Sequence, residues 1–313
     1  MIIVFAKIFS VFCISLLGYI ANKIKWLPAE STKYLSMLLF NITSPCLIIY
    51  AMSRQELTRE TVSSVAQTAG LMLLALVIAT VFVAAAVRIM KMPAEDRGVY
   101  QIVLFLTNCG FMGFPLALAV FGEKGLFLMI IANAVFTLYT YSVGVLLLIS
   151  GKEEKLALKT ALKSMSSVPV ISSIIGLLIF ALGIPLPQLM SEFLDIVGSV
   201  TIPLSMIIIG VQLAESKVGE VLENKHIFQT LILKLVVLPA VLFGILIWLP
   251  VNSLVFCIVI FAMAMPSAAV IPVISEIYGA NTKLAAQIVF ITTMFSLITI
   301  PIISMILYPF SRL

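Results

Sequence analysis

Two hydrophobic stretches of this chain are each interrupted midway by proline and small residues, and the interruptions stand at equivalent places in a repeat. The first reads LFLTNCGFMGFPLALAVFG and ends at Gly122; the second reads VIFAMAMPSAAVIPVISEIYG and ends at Gly279. A shift of 157 residues lays Pro115 on Pro272, Phe121 on Tyr278, Gly122 on Gly279 and Pro93 on Pro250. A shift of 158 lays Gly18 on Gly176 and Pro45 on Pro203. The chain therefore reads as one five-segment unit written twice. Paired hydrophobic segments broken by Gly and Pro in corresponding halves are the sequence mark of a substrate site in a secondary transporter.

The solvent for such a chain is lipid. Of its 313 residues, 62% are hydrophobic and only 11% charged, and the mean hydropathy is +1.21; a soluble domain has far more charge. Apolar stretches long enough to cross the hydrocarbon core as helices fall near 2–21, 34–52, 66–89, 98–121, 126–149, 167–184, 194–214, 227–248, 254–275 and 284–307. Membrane β-strands would be shorter and would alternate polar with apolar residues. The N-terminal stretch has no basic region ahead of it and no small-residue cleavage site after it, so it reads as the first helix and not as a signal peptide. Cys13, Cys46, Cys109 and Cys257 all lie inside apolar segments without metal-ligand spacing and read as small core residues.

Charge between the segments gives orientation. The odd-numbered connections carry thirteen Lys and Arg residues, among them Lys23, Arg88, Lys152, Lys217 and Lys283; the even-numbered ones and the C-terminus carry Arg54, Arg59, Lys124 and Arg312. The positive-inside rule places the odd connections in the cytoplasm and both termini on the extracytoplasmic side of the cell membrane. With an odd number of segments per half, the second half enters from the opposite side. Residues 1–150 form the first repeat, 151–166 a cytoplasmic connection, and 167–313 the second, inverted repeat. The net charge of +5 is accounted for by this asymmetry, and nucleic acid is not an expected partner.

A lipid-buried helix cannot simply stop, because each freed N–H or C=O in hydrocarbon costs several kcal/mol. Breaks survive where they line a cavity or bind something. In the fourth segment Asn108, Cys109, Gly110, Gly113 and Pro115 cluster near mid-depth; in the ninth, Pro266, Ser267, Ala268 and Pro272 do the same. Inversion makes the two segments cross near the bilayer centre. The half-helices that start there converge with free N–H groups and positive dipole ends, an arrangement suited to an anion. Asn108 adds an amide that can donate to a carboxylate. Gly and Pro are also commoner in membrane helices generally, but two breaks in register, one carrying Asn, exceed that background.

Asn133, Thr137 and Tyr141 recur every four residues on one face of the fifth segment; they continue a pathway from Asn108 or hydrogen-bond between helices. Asn41 and Pro45, and Pro203 and Ser205, mark smaller breaks flanking the site, and Gln212 is either pathway or interhelical glue. Lys234 lies about 12 Å inside its helix. It is either a functional intramembrane charge or a side chain that snorkels back to the interface. No Asp or Glu falls near mid-depth, and no HExxH, GxSxG, Walker motif or paired carboxylates occur. The chain does not read as an enzyme, and with no motif for ATP its transport would run on gradients.

Four blocks resemble the bacterial branch of the auxin efflux carrier family, within the bile acid and auxin transporter superfamily: NITSPCLII at 41–49, TNCGFMGFPLALAVFGEKGL at 107–126, IPLSMIIIGVQLAE at 202–215, and 265–301. The resemblance covers essentially the whole chain. It implies an all-α integral membrane protein of ten transmembrane helices in two inverted five-helix repeats, with broken, crossing helices 4 and 9. It further implies a scaffold from helices 1, 2, 6 and 7, a transport part from helices 3–5 and 8–10, an elevator-like movement, and a homodimer through the scaffold. The family's asparagine seven residues before the helix-4 proline matches Asn108. The long regulated loop of plant members is missing.

These readings converge on a secondary transporter of small organic anions, mono- or dicarboxylates such as malate-like or auxin-like acids, bound at the helix 4/9 crossover. The alternatives are a sodium-coupled symporter of the bile-acid type and a membrane sensor that binds without translocating. No cofactor or metal is expected, with sodium coupling left open.

Overall fold

A computed structural model describes residues 2–140, 143, 167–215, 224–277 and 279–311; the 151–166 connection, Tyr141 and Tyr278 lie outside them. The described chain is helical: α1 (Ile2–Lys23), α2 (Ser31–Ser53), α3 (Arg59–Ile89), α4 (Arg97–Phe105), α5 (Cys109–Tyr139), α6 (Val168–Leu182), α7 (Gln188–Glu215), α8 (Lys225–Leu246), α9 (Ser253–Met263), α10 (Ile271–Ile277) and α11 (Thr282–Phe310). Seven of these, α1, α2, α3, α5, α7, α8 and α11, are long and apolar enough to cross a membrane. The chain is an integral, multi-pass membrane protein. Among the described residues the sole pairing of strand type is an isolated antiparallel bridge between Thr107 and Ser267.

The helix boundaries differ from the ten apolar stretches in instructive ways. The fourth stretch is divided between α4 and the start of α5, and the ninth between α9 and α10, with non-helical backbone at 106–108 and 264–270. α5 then runs on into the fifth stretch through Gly122, whose φ of 72° and ψ of −163° suit only glycine. The fold-back there is tight, since a Cβ at Gly125 would stand 2.2 Å from that of Phe121. Gly279, the counterpart of Gly122 in the repeat, also has positive φ, 64°. α6, at 15 residues, is shorter than its apolar stretch because Gly183 ends it in the left-handed conformation.

Three prolines share one local device. A five-residue π-turn starts six residues before each: Leu39–Thr43 before Pro45, Cys109–Gly113 before Pro115, and Leu233–Val237 before Pro239. A proline ring clashes with the carbonyl four residues back and offers it no N–H. Widening the preceding turn to i→i+5 bonds moves that carbonyl aside and keeps the helix running through lipid. Asn41, Gly110 and Lys234 each sit inside one of these turns.

Close helix packing is made by glycine. α1 lies along the second half of α7, and the second half of α2 packs on α6. A Cβ on Gly210 would lie 1.9 Å from the Ser15 carbonyl oxygen, and one on Gly18 2.2 Å from that of Ile207, so α1 and α7 touch backbone to backbone. In the repeat-related pair a Cβ on Gly176 would meet the Met52 sulfur at 2.6 Å. Small residues let membrane helices approach this closely where lipid supplies no hydrophobic drive between them.

Candidate functional site

The two breaks are joined by main-chain hydrogen bonds. Asn108 N–H donates to the Pro266 carbonyl at 2.8 Å, and Ala268 N–H donates to the Leu106 carbonyl at 3.2 Å. Ser267 closes the junction further: its hydroxyl donates to the Val103 carbonyl at 2.7 Å, and its N–H donates to the Thr292 hydroxyl at 3.3 Å. Extended backbone at this depth is tolerated because each break supplies the other's missing partners.

Asn108 occupies the N-cap of α5. Other helix starts show what an N-cap asparagine ordinarily does: the side chains of Asn224, Asn252 and Asn281 accept from N–H groups of their own first turns at 2.9 to 3.1 Å. Asn108 makes no such bond. Its carbonyl takes the N–H groups of Met112 and Gly113, while its side chain, 4% exposed, faces a cavity of about 490 Å³ with no hydrogen-bond partner among the described residues. Helix geometry leaves the N–H groups of Cys109, Gly110 and Phe111 unspent inside α5. Across the cavity no main-chain acceptor among the described residues takes the N–H of Ala269 or Val270.

The cavity is amphipathic. Asn108, Asn133, Thr137 and Thr140 supply polar atoms, and Phe40, Phe111, Phe136 and Ile274 supply an apolar wall. Phe40 and Phe111 meet edge to face at 4.9 Å between centroids. Thr140 has a buried hydroxyl with no partner among the described residues, whereas the Thr137 hydroxyl is spent on the Asn133 carbonyl at 2.7 Å. None of the described residues that line it is charged.

Of the residues singled out in the sequence, Asn41, Asn108, Gly110, Asn133, Thr137 and Ala268 line this cavity. Pro272 and Gln212 line a second one of about 240 Å³, which shares Ala269 with the first and reaches Glu215. Cys109, Gly113, Pro115, Pro266 and Ser267 lie behind the lining as buried support. Cys109 does not line the cavity; its thiol bonds the Thr107 hydroxyl at 2.9 Å and the Ala262 carbonyl at 3.6 Å. Pro45 and Ser205 are buried and Pro203 half-buried, with the Ser205 hydroxyl bonded to the Ile202 carbonyl. Lys234 does not snorkel: it is 0% exposed, and its amine donates to the Leu104 carbonyl at 2.9 Å.

Sequence reasoning missed Phe40, Phe111, Phe136, Thr140 and the start of α6, where Ser167, Pro169 and Ser173 complete the wall. The polar residues of α6 carry a weak signal, since Pro169 and two serines interrupt an otherwise apolar run. The aromatic residues carry none.

Comparison with known proteins agrees with this architecture. The model of the family described as "Membrane transport protein" matches residues 3–304. An "Uncharacterized transporter" of Methanocaldococcus jannaschii is 28% identical over 297 residues, covering 91% of this chain and 92% of that protein. Another, of Methanothermobacter thermautotrophicus, is 26% identical over 306 residues, covering 96% and 97%. Both relatives are named as transporters. The chain belongs to the membrane transport protein family, that of the auxin efflux carriers.

Proposed function

We propose that this membrane transporter carries small organic anions, mono- or dicarboxylates, as a secondary transporter, with the anion bound where the two breaks meet. The observation that carries the reading is the Asn108 amide, buried, aimed into the 490 Å³ cavity and unpartnered among the described residues. Beside it stand free N–H groups from α5 and from the 264–270 break. Uncharged donors and a positive helix end bind a carboxylate without holding it so firmly that release becomes slow.

The finer architecture follows from the same features. Ten spans in two inverted five-helix repeats are supported by the positive φ shared by Gly122 and Gly279 and by the exchange of glycine contacts between α1 with α7 and α6 with α2. The cavity is walled on one side by α5, the two breaks and α10, and on the other by α2 and the start of α6. Those walls fall on the two sides of the division into a transport part and a scaffold, as an elevator-like movement requires. By the positive-inside rule both termini are extracytoplasmic in the cell membrane, and the cavity, bounded by Thr140 and Ser167 near the odd-numbered connections, faces the cytoplasm. The apolar outer faces of α1, α6 and α7, including Phe9, Ile174 and Phe193, are exposed for lipid or for a second copy in a homodimer.

Uptake of a panel of radiolabelled carboxylates into proteoliposomes, with and without sodium, tests the reading. Saturable flux of at least one carboxylate is expected. Binding without flux would make the protein a sensor, and no binding or flux of any carboxylate would remove the anion reading.

A further inference from the structure

The carbonyl end of α4 is closed by groups from outside the helix. The last carbonyls of a helix have no partner within it. Here the Ile102 carbonyl keeps the Leu106 N–H at 2.7 Å, while the Val103 carbonyl takes the Ser267 hydroxyl at 2.7 Å, the Leu104 carbonyl the Lys234 amine at 2.9 Å, and the Leu106 carbonyl the Ala268 N–H at 3.2 Å. Three of these four acceptors are thus served by the second break or by α8.

Lys234 is the one charged side chain fully buried among the described residues. It comes from the π-turn Leu233–Val237, which Pro239 imposes on α8. Its partner lies 130 residues away, at the negative end of a helix dipole. In discontinuous-helix transporters generally, half-helix C-termini and unwound carbonyls are where coupling cations are held. A compact ammonium on a flexible stem supplies the same charge to such carbonyls.

We propose that the Lys234 ammonium is a tethered cation that fills the carbonyl end of α4, in the place where a free monovalent cation would otherwise be recruited, so that the protein needs no coupling sodium ion. The consequence for coupling rests on the transport reading above; the occupancy of the site does not. With the ammonium in place the two breaks stay locked together, and the positive charge stands one helix end away from the Asn108 cavity without lining it.

The test measures thermal unfolding of the detergent-purified protein and flux in proteoliposomes, each in choline, sodium, lithium or propylammonium chloride. Wild type is expected to have the same melting temperature and flux in sodium, lithium and choline. Lys234→Ala should melt several degrees lower and lose flux by roughly ten- to a hundredfold. Propylammonium, which replaces the deleted stem and amine, should recover part of both, and Lys234→Met, whose side chain occupies the space without charge, should not respond. Stabilisation of the wild type by sodium or lithium over choline would overturn the proposal. So would Lys234→Met as stable and active as wild type, or Lys234→Ala that no cation restores. If neither variant folds, the wild-type salt series decides alone. If no carboxylate is transported, the transport reading fails while the melting series still decides this one.

Discussion

The main-chain N–H of Asn108 donates to the carbonyl of Pro266 at 2.8 Å, so the residue that faces the cavity from one break is fastened to the other. Two interruptions 157 residues apart in sequence thereby become a single hydrogen-bonded object. The free end of that object is an amide and a set of N–H groups, and its other end is the carbonyl terminus of α4.

Asn108→Ala removes the amide and leaves its backbone bonds intact. Affinity for the transported carboxylate should fall by about 1–3 kcal/mol, the range for a hydrogen bond to a charged group, while expression and melting temperature hold. Asn108→Asp should lower it further by placing like charges together. Competition binding with purified protein reads both, and wild-type affinity in Asn108→Ala would take the amide out of the site.

Gly110 and Gly113 share one π-turn and should answer differently to added bulk. A Cβ at Gly110 meets nothing within 4 Å, whereas one at Gly113 comes to 3.4 Å from both the Cys109 Cβ and the Met129 sulfur. Gly110→Leu should therefore fold normally and reduce flux by filling the cavity. Gly113→Leu should lower stability by roughly 1–3 kcal/mol, the usual cost of overpacking. Melting curves beside flux separate the two, and equal loss of stability in both would show that Gly110 does not face open space.

Cys109 should resist modification. It is 1% exposed, it is not among the lining residues, and its thiol is engaged by the Thr107 hydroxyl and the Ala262 carbonyl. In a background with the other three cysteines replaced, a small permeant thiol reagent should label Thr137→Cys quickly, with substrate slowing the reaction, and should label Cys109 far more slowly. Comparable rates at the two positions would put the Cys109 thiol in the cavity.

The α1–α7 contact should tolerate no side chain at Gly210. Gly210→Val drives atoms into the Ser15 carbonyl, where a Cβ already stands at 1.9 Å, and should prevent purification of a monodisperse protein. Gly244→Ala, with nothing within 4 Å of its Cβ, should change stability by no more than about 1 kcal/mol. Size-exclusion profiles of the two variants make the comparison.

Much of the site was legible from residues. Gly110, Pro115, Pro266 and Pro272 announced two breaks, and Asn108 announced the polar atom at one of them, because lipid tolerates such residues only where their backbone groups find partners. What was not legible is side-chain direction. Cys109 adjoins Asn108 yet does not line the cavity, since helical periodicity fails where extended backbone meets a π-turn. The partner of Lys234 could not be read either, because snorkelling and inward bonding start from the same depth and differ only in what α4 presents at Leu104. The aromatic wall of Phe40, Phe111 and Phe136 comes from α2 and from two distant turns of α5, and their type is too common in lipid-facing segments to mark them.

The most direct test of the account is flux of a carboxylate in proteoliposomes under an imposed potassium-diffusion potential, at fixed pH and without sodium, for wild type and Asn108→Ala. No carboxylate is among the described residues that line the Asn108 cavity, so the potential should act on the charge of the anion, worth about 2.3 kcal/mol per charge per 100 mV. Saturable wild-type flux that follows the potential, and weaker flux at low substrate in Asn108→Ala, is the predicted result. Flux that ignores the potential and runs only with a pH or sodium gradient, or that is untouched by Asn108→Ala, would contradict it.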